Sequence, residues 1–453
     1  VLRQAIWQGS SVLKFGTDGV RGVANLDLTP ELVLALGRAA ARVLGGWHFV
    51  VGRDTRLSGP LLESALVAGL MSEGAQVTSI GVAPTPAVAW LAAEEHAAGA
   101  VISASHNRFE DNGVKLFAPG GRKLTDDVET ALEAELHALL THQGTAAART
   151  GDAVGSFVDG SAGVARWVSS VTASIEGRRL DGLSLVVDCA NGSAAHVAPP
   201  VLRSLGAIVE VLHDEPDGAN INAGCGSTYP EDLQKAVVER GAAVGLAFDG
   251  DADRVLAVDA DGRLIDGDQI IAVTAIDRRD RGQLVKDTVV VTVMTNLGFR
   301  LGMEAHGIDV LEVPVGDRYV LEALADEGLS LGGEQSGHVI FADLATTGDG
   351  LLTAVQLLDV VQRSGRSLAE LADDAMTQLP QVLRNVRVAD AGVDVAGTLA
   401  DEIAAVEADL GDHGRVLVRG SGTEPLVRVM VEAPTADAAE AAADRLVEAV
   451  EAL

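Results

Sequence analysis

The sequence predicts an α/β protein: three related α/β domains with mixed sheets, plus a smaller α+β C-terminal domain. Three observations carry that reading. A strand–turn–helix–Gly–strand pattern recurs three times. The tail of the chain has a different pattern. At roughly 150 residues per domain, 453 residues make three to four domains.

The first helix follows Thr29-Pro30-Glu31. Thr29 can cap it, Pro30 suits its first position and Glu31 favours the positive end of its dipole. Leu32, Leu36, Ala39, Ala40 and Val43 share one face, and Gly45-Gly46 ends the helix. The first repeat then runs from Phe49-Val50-Val51 through Gly52-Arg53-Asp54 to Gly74 and Val77. The second runs from Leu185-Val186-Val187 through Asp188 to Gly192, then Gly206, Val209 and Val211. The third runs from Val289-Val290-Val291 through Thr295-Asn296-Leu297-Gly298 to Gly307 and Val310. The strand runs are nearly all apolar, as strands buried on both faces require. In the tail, strands at 415–418 and 427–431 flank a Gly-Ser turn and precede an Ala-rich helix at 435–453. Composition shifts at 141–155 and 374–384 suggest boundaries. The expected domains are residues 1–150, 151–255, 256–373 and 374–453.

Hydrophobic residues make up 47% and charged residues 22%, which excludes a largely disordered chain. Aromatics are 3%, too few for base-stacking platforms. With 34 Lys+Arg against 65 Asp+Glu the net charge is −31, which repels nucleic acid and anionic membrane. A phosphate ligand would need the few basic residues gathered in one place. Cys189 and Cys225 are too few for a disulfide framework and read as structural thiols without a nearby His partner. No apolar run approaches the ~18 residues of a membrane span, and residues 1–15 lack a signal-peptide core. A cytoplasmic protein is expected.

Five segments carry chemistry. In Phe248-Asp249-Gly250-Asp251-Ala252-Asp253-Arg254, carboxylates alternate with small residues. An extended segment would place all three on one face toward a cation, and hard oxygen ligands suit Mg²⁺. An acidic surface turn is the competing reading. Val101 to Asn107 is a buried strand ending in Ser103, Ser105, His106 and Asn107. A serine there could accept a phosphoryl group, or could simply make a serine turn. Asp111 to Lys115 adds a turn and a cation. In Arg419-Gly420-Ser421-Gly422-Thr423, with Arg428 beyond, Gly backbone, hydroxyls and two guanidinium groups suit an anion. A Gly-rich hairpin is the alternative. Gly333-Glu334-Gln335-Ser336-Gly337-His338 suits sugar hydroxyls, or is an incidental loop. Gly16 to Gly22 sets three glycines around Arg21.

In this order, over nearly the whole chain, the five segments resemble the α-D-phosphohexomutase superfamily. Gln335, the run Val315-Gly316-Asp317-Arg318-Tyr319-Val320, and Asn220-Ile221-Asn222 before Cys225-Gly226 resemble its glucosamine branch. The phosphomannomutase/phosphoglucomutase branch is the alternative. The resemblance implies four domains around a central cleft. It implies an isomerase interconverting glucosamine 6-phosphate and glucosamine 1-phosphate through a phosphoserine and a 1,6-bisphosphate, feeding UDP-N-acetylglucosamine and cell-wall synthesis. Ser105 would carry the phosphoryl group, and Ser105, Asp249, Asp251 and Asp253 would hold one Mg²⁺. Glu334 and Ser336 would bind the sugar. Arg419, Ser421, Gly422, Thr423 and Arg428 would clamp the non-reacting phosphate. Arg21, Lys115 and Arg254 would line the transfer site, with Lys115, then His338, for proton transfer. A hexose 1,6-bisphosphate would serve as activator and intermediate. The partner would be a phosphosugar, with no nucleic acid or membrane, and monomer and homodimer both stay open. Arg108 and Gly420 stand where the family usually has Pro, which predicts looser serine and phosphate loops. Ala252 replaces a usual Gly. A sugar-phosphate-binding protein without transfer, and a metal phosphatase, are the rival classes.

Overall fold

The first sheet gathers seven strands. They are β1 (Val20–Val23), β2 (His48–Arg53), β3 (Gln76–Val82), β4 (Ala98–Ile102), β5 (Asp111–Ala118), β6 (Arg122–Lys123) and β7 (Phe157–Asp159). Their order is β1-β5-β4-β2-β3-β7, with β6 on β5. The structure is a computed structural model describing residues 19–45, 47–141, 149–388, 395–420 and 426–451. The second sheet holds β8 (Ser184–Asp188), β9 (Ile208–Leu212), β10 (Val244–Phe248), β11 (Val255–Asp259) and β12 (Leu264–Ile265), in the order β12-β11-β10-β8-β9. The third holds β13 (Thr288–Thr292), β14 (Asp309–Val313), β15 (Leu331–Gly333) and β16 (Val339–Phe341), ordered β14-β13-β15-β16.

These three sheets repeat one topology. A parallel pair (β2/β3, β8/β9, β13/β14) is extended by a third parallel strand (β4, β10, β15). That strand turns back into an antiparallel neighbour (β5, β11, β16). The serine, triple-aspartate and Glu334 segments each occupy this same turn. The sheets are mixed, as expected. The smaller C-terminal sheet, β17 (Gln381–Arg387), β18 (Arg415–Gly420) and β19 (Leu426–Glu432), is antiparallel. Helix Ala436–Glu451 covers it.

Strand pairing moves two expected boundaries. β7 pairs with β3, so the first sheet extends past residue 150 to Asp159. β11 pairs with β10, and β12 with β11, so the second sheet extends past 255 to Ile265. Composition does not reveal such pairings between distant segments.

One face of each of the first three sheets joins a continuous apolar core that includes Val50, Phe117, Leu185, Phe248, Val291 and Phe341. Helix Gly350–Ser364 is buried on all sides from Gly350 to Val361, a stretch that is apolar apart from Thr353, Gln356 and Asp359. The opposite faces carry separate cores, and the C-terminal module keeps its own.

Thr29 caps helix Pro30–Val43, accepting the Leu32 N–H at 3.3 Å. The buried face is centred on Val33, Leu36, Gly37 and Ala40, not on Leu32 and Val43. Gly37 and Gly69 meet where this helix crosses Gly59–Ser72; a Cβ on either would stand 2.4 or 2.2 Å from a facing carbonyl. No helix among the described residues is long and apolar enough to cross a membrane.

Candidate active site

β4 ends at Ile102 and the chain enters the serine turn. Ser103 makes the serine turn: its Oγ accepts the Ser105 N–H at 2.9 Å and donates to Asp54 at 2.6 Å. Ser105 is left with a free direction for its own hydroxyl. It is fully buried, has a left-handed φ of 52°, and donates from Oγ to Asp249 Oδ2 at 2.6 Å. The serine turn therefore belongs to Ser103, while the hydroxyl of Ser105 is turned toward the acids.

Asp249, Asp251 and Asp253 lie on the turn after β10, not on an extended run. Ala252 sits at φ 56° and its N–H reaches the Asp249 carbonyl at 3.1 Å. The turn, not strand alternation, converges the three carboxylates to within 4.8 Å. Gly250 lets the turn lie against the serine loop, because a Cβ there would stand 2.6 Å from the Ser105 carbonyl.

Lys115 lies on β5, so 111–115 is strand, not turn, and β5 pairs with β4 through Val101 opposite Lys115. Its ammonium reaches Asp251 at 2.7 Å and Asp253 at 3.1 Å. Thr85 donates to Asp251 Oδ2 at 2.6 Å. Burial, then the charges of Asp253 and Asp251, push the Asp249 carboxyl well above the carboxylate range. For Asp253 burial acts the same way, but Lys115 and His338 outweigh it and hold that carboxyl well below the range.

His338 is sealed behind Asp253. Its Nε2 accepts the Gly348 N–H at 3.2 Å and its Nδ1 stands 3.8 Å from Asp253. Burial opposes its charge, but Asp253 prevails and raises its pKa. His106 Nδ1 lies 3.4 Å from Ser105 Oγ. Its pKa is lowered by burial, then by Arg254 and Arg21. Arg254 stands on the aspartate turn, its main-chain N–H 3.3 Å from Asp249 Oδ1, and Arg21 lies on β1 opposite Gly113 of β5.

The Asp251 and Asp253 Oδ1 atoms are buried and make no hydrogen bond among the described residues, with Arg254 Nε 3.7 Å from the second. Two orphaned buried oxygens in a cluster of three carboxylates are what a hard dication would satisfy. The residues present fit Mg²⁺.

Glu334 and Ser336 lie on the turn between β15 and β16. Glu334 Oε1 accepts the Gly316 N–H at 3.2 Å. The buried Ser336 Oγ has no hydrogen-bond partner among the described residues. Asp317 and Arg318, in the same run as Gly316, pair with Lys123 and with Asp126 and Glu129 of the first domain. Arg419 and Arg428 face each other across β18 and β19. Burial, then the Arg428 charge, lowers the Arg419 pKa. Ser421, Gly422 and Thr423 lie outside the described residues.

Sequence reading missed three groups here. Thr85 had no motif. Arg56 sits beside Gly52-Arg53-Asp54, which read only as a turn. Asn222 read as a branch marker without a role. A second cluster, Asp188, His213 and Cys225, also falls within 4.8 Å. The fold thus brings Cys225 a His partner that the sequence did not suggest. Asp188 is already occupied there by the N–H groups of Ala190 and Gly226, each at 2.8 Å, and burial pushes the Cys225 thiol up to about 12.

Four family models of phosphoglucomutase/phosphomannomutase match the chain. Its α/β/α domains I, II and III match residues 12–142, 165–262 and 266–379, and its C-terminal domain matches 383–449. The chain belongs to this family of phosphohexomutases. Within it, the chain is 53% identical over 440 residues to the phosphoglucosamine mutase of Rhodococcus opacus (strain B4), covering 95% of this chain and 98% of that one. It is also 53% identical to that of Thermobifida fusca (strain YX), covering 96% and 97%. Among solved structures, a phosphoglucomutase/phosphomannomutase family protein of Burkholderia thailandensis superposes with TM-score 0.81 at 27% identity, covering 98% of each chain. The Aspergillus fumigatus N-acetylphosphoglucosamine mutase solved with GlcNAc-6P and magnesium shares the fold, with TM-score 0.68, 20% identity, and coverage of 97% and 96%.

Proposed function

We propose that the chain is an isomerase that interconverts glucosamine 6-phosphate and glucosamine 1-phosphate through a phosphorylated Ser105 and a 1,6-bisphosphate. The supporting observation is the buried Ser105 hydroxyl 2.6 Å from Asp249, in a ring of carboxylates and cations drawn from two domains. The relatives named above support glucosamine as the sugar.

The phosphoserine O–P bond breaks as an O–P bond to a substrate hydroxyl forms, and the reverse transfer uses the other phosphate. Such transfers depend mainly on positioning and charge stabilisation. In the forward transfer the sugar hydroxyl loses its proton and the serine oxygen gains one. In the return the serine hydroxyl loses its proton and the released sugar oxygen gains one. Lys115 is the proposed residue that carries the proton in both directions. His338 orients Asp253 from behind. Arg21 and Arg254 meet the transferring phosphate, Glu334 and Ser336 the sugar, and Arg419, Ser421, Gly422, Thr423 and Arg428 the distal phosphate. Asp249, Asp251 and Asp253 with the serine oxygens would hold one Mg²⁺, which when bound supplies counter-charge for a phosphoserine carrying about −1.5 to −2 charges.

The test is a coupled assay on glucosamine 6-phosphate with Mg²⁺, with and without glucose 1,6-bisphosphate, beside intact-mass analysis. Wild type is expected to turn over and to carry phosphate. Ser105→Ala is expected to do neither, with turnover down by roughly a thousandfold or more. Faster turnover of mannose or glucose phosphates would assign the other branch, and free phosphate without isomerisation would assign a phosphatase.

A further inference from the structure

We infer that Asn222 is a positioning residue that, with Arg56, aims the Ser105 hydroxyl by holding the serine's own main-chain carbonyl. The inference rests on reading Ser105 as the phosphoryl carrier.

Ser105 sits at a left-handed φ of 52°, a conformation that a residue with a Cβ keeps only where its surroundings impose it. Its carbonyl accepts two hydrogen bonds, from Arg56 Nη2 at 2.9 Å and from Asn222 Nδ2 at 2.8 Å. The same two donors also share the Asn107 carbonyl, at 2.8 and 3.0 Å. Arg56 further holds the carbonyls of Arg108 and Asp111, and Asp54 anchors its Nε at 2.8 Å. Asp54 also takes the hydroxyl of Ser103, whose Oγ accepts the Ser105 N–H. Both main-chain polar groups of Ser105 are therefore fixed. Only χ1 is left to set, and Asp249 receives the hydroxyl.

The two donors come from different domains. Arg56 follows β2 in the first sheet and is 1% exposed. Asn222 lies beyond β9 of the second sheet, is 3% exposed, and has its own N–H on the Ala190 carbonyl at 2.9 Å. Thr55 to the Asn191 carbonyl and Leu57 N–H to the Gly218 carbonyl seat this segment on the first domain. Both Asn222 amide bonds end on carbonyls, so the amide must present its nitrogen. An aspartate there would aim an acceptor at two acceptors.

Asn222 has φ 56°, which Asp and Gly both tolerate, so Asn222→Asp and Asn222→Gly suit the backbone. Both are expected to lower kcat for glucosamine 6-phosphate at least about tenfold with KM within about twofold, the Asp variant more. Phosphate on Ser105 after incubation with glucose 1,6-bisphosphate should fall in parallel. Amide exchange at 104–108 should accelerate, while the thermal midpoint and exchange elsewhere stay near wild type. Arg56→Lys keeps a charge beside Asp54 but cannot span four carbonyls, and should act alike. A kcat within twofold of wild type in Asn222→Asp would overturn the inference. So would a loss that tracks a general fall in stability and is regained on cooling. If wild type itself shows no isomerisation, the proposed function falls. Exchange at 104–108 then decides this inference alone, and no acceleration there sinks it.

Discussion

The Ser105–Asp249 centre and the Arg419–Arg428 hairpin, the two regions proposed to meet phosphate, are built in opposite ways. The first is buried, negative and assembled from turns of two sheets, with Lys115 lying against two of its acids. The second is partly exposed, positive and local, two arginines paired by the register of one hairpin. Buried charge of one sign is costly without counter-charge, so the first centre needs partners from the whole fold. Two half-exposed guanidinium groups repel weakly through solvent and need only an anion between them. The difference suggests that chemistry sits where tertiary structure holds every atom, and phosphate capture where a short motif suffices.

The largest expected contrast concerns metal. Chelation should cut turnover about a thousandfold or more, reversed by Mg²⁺. Mg²⁺ should raise the thermal midpoint of wild type but not of Asp251→Asn; equal shifts in both would place the ion elsewhere. The hairpin should respond in binding instead. A charge-assisted hydrogen bond is worth about 1.5–3 kcal/mol, so Arg428→Ala should raise KM roughly ten- to a hundredfold while kcat changes little. If kcat fell instead, the hairpin would belong to the chemical step and the contrast would fail. Gly420 ends β18, and a Cβ there would meet nothing within 4 Å among the described residues. Gly420→Pro should lower KM about two- to fivefold by restricting the backbone at 420, and an unchanged or raised KM would count against that expectation. The smallest effect is expected at Ala252. Gly relieves the left-handed strain but loosens the unfolded chain, so Ala252→Gly should change stability by about 1 kcal/mol or less with turnover kept. Chemical unfolding and the coupled assay check both.

Most chemistry-bearing residues of the candidate site were legible because they travel in short segments. Ser105, the three aspartates and Glu334 stand among small or polar residues on turns, and Arg419 and Arg428 lie on the two strands that flank the Gly-Ser segment. The reason the aspartates converge was not legible. Spacing alone suggested an extended strand, but the chain turns at Ala252. Thr85, Arg56 and Asn222 were not legible because their partners lie far along the chain, as Thr85 and Asp251 do at 166 residues. The limit of the first domain shifted for the same reason, since β7 joins β3 across about eighty residues, whereas the second shifted because the β11–β12 hairpin continues the sheet beyond the aspartate turn.

By itself the sequence determined the α/β class, the threefold repeat and the short segments where chemistry is carried. Apolar periodicity, turn residues and local polar clusters are properties of neighbours in the chain. Only the tertiary structure decided which oxygen of which serine faces the acids, and which distant donors hold it there. Burial and hydrogen-bond geometry depend on atoms brought together by the fold, and a left-handed serine has no reason to persist until those atoms surround it.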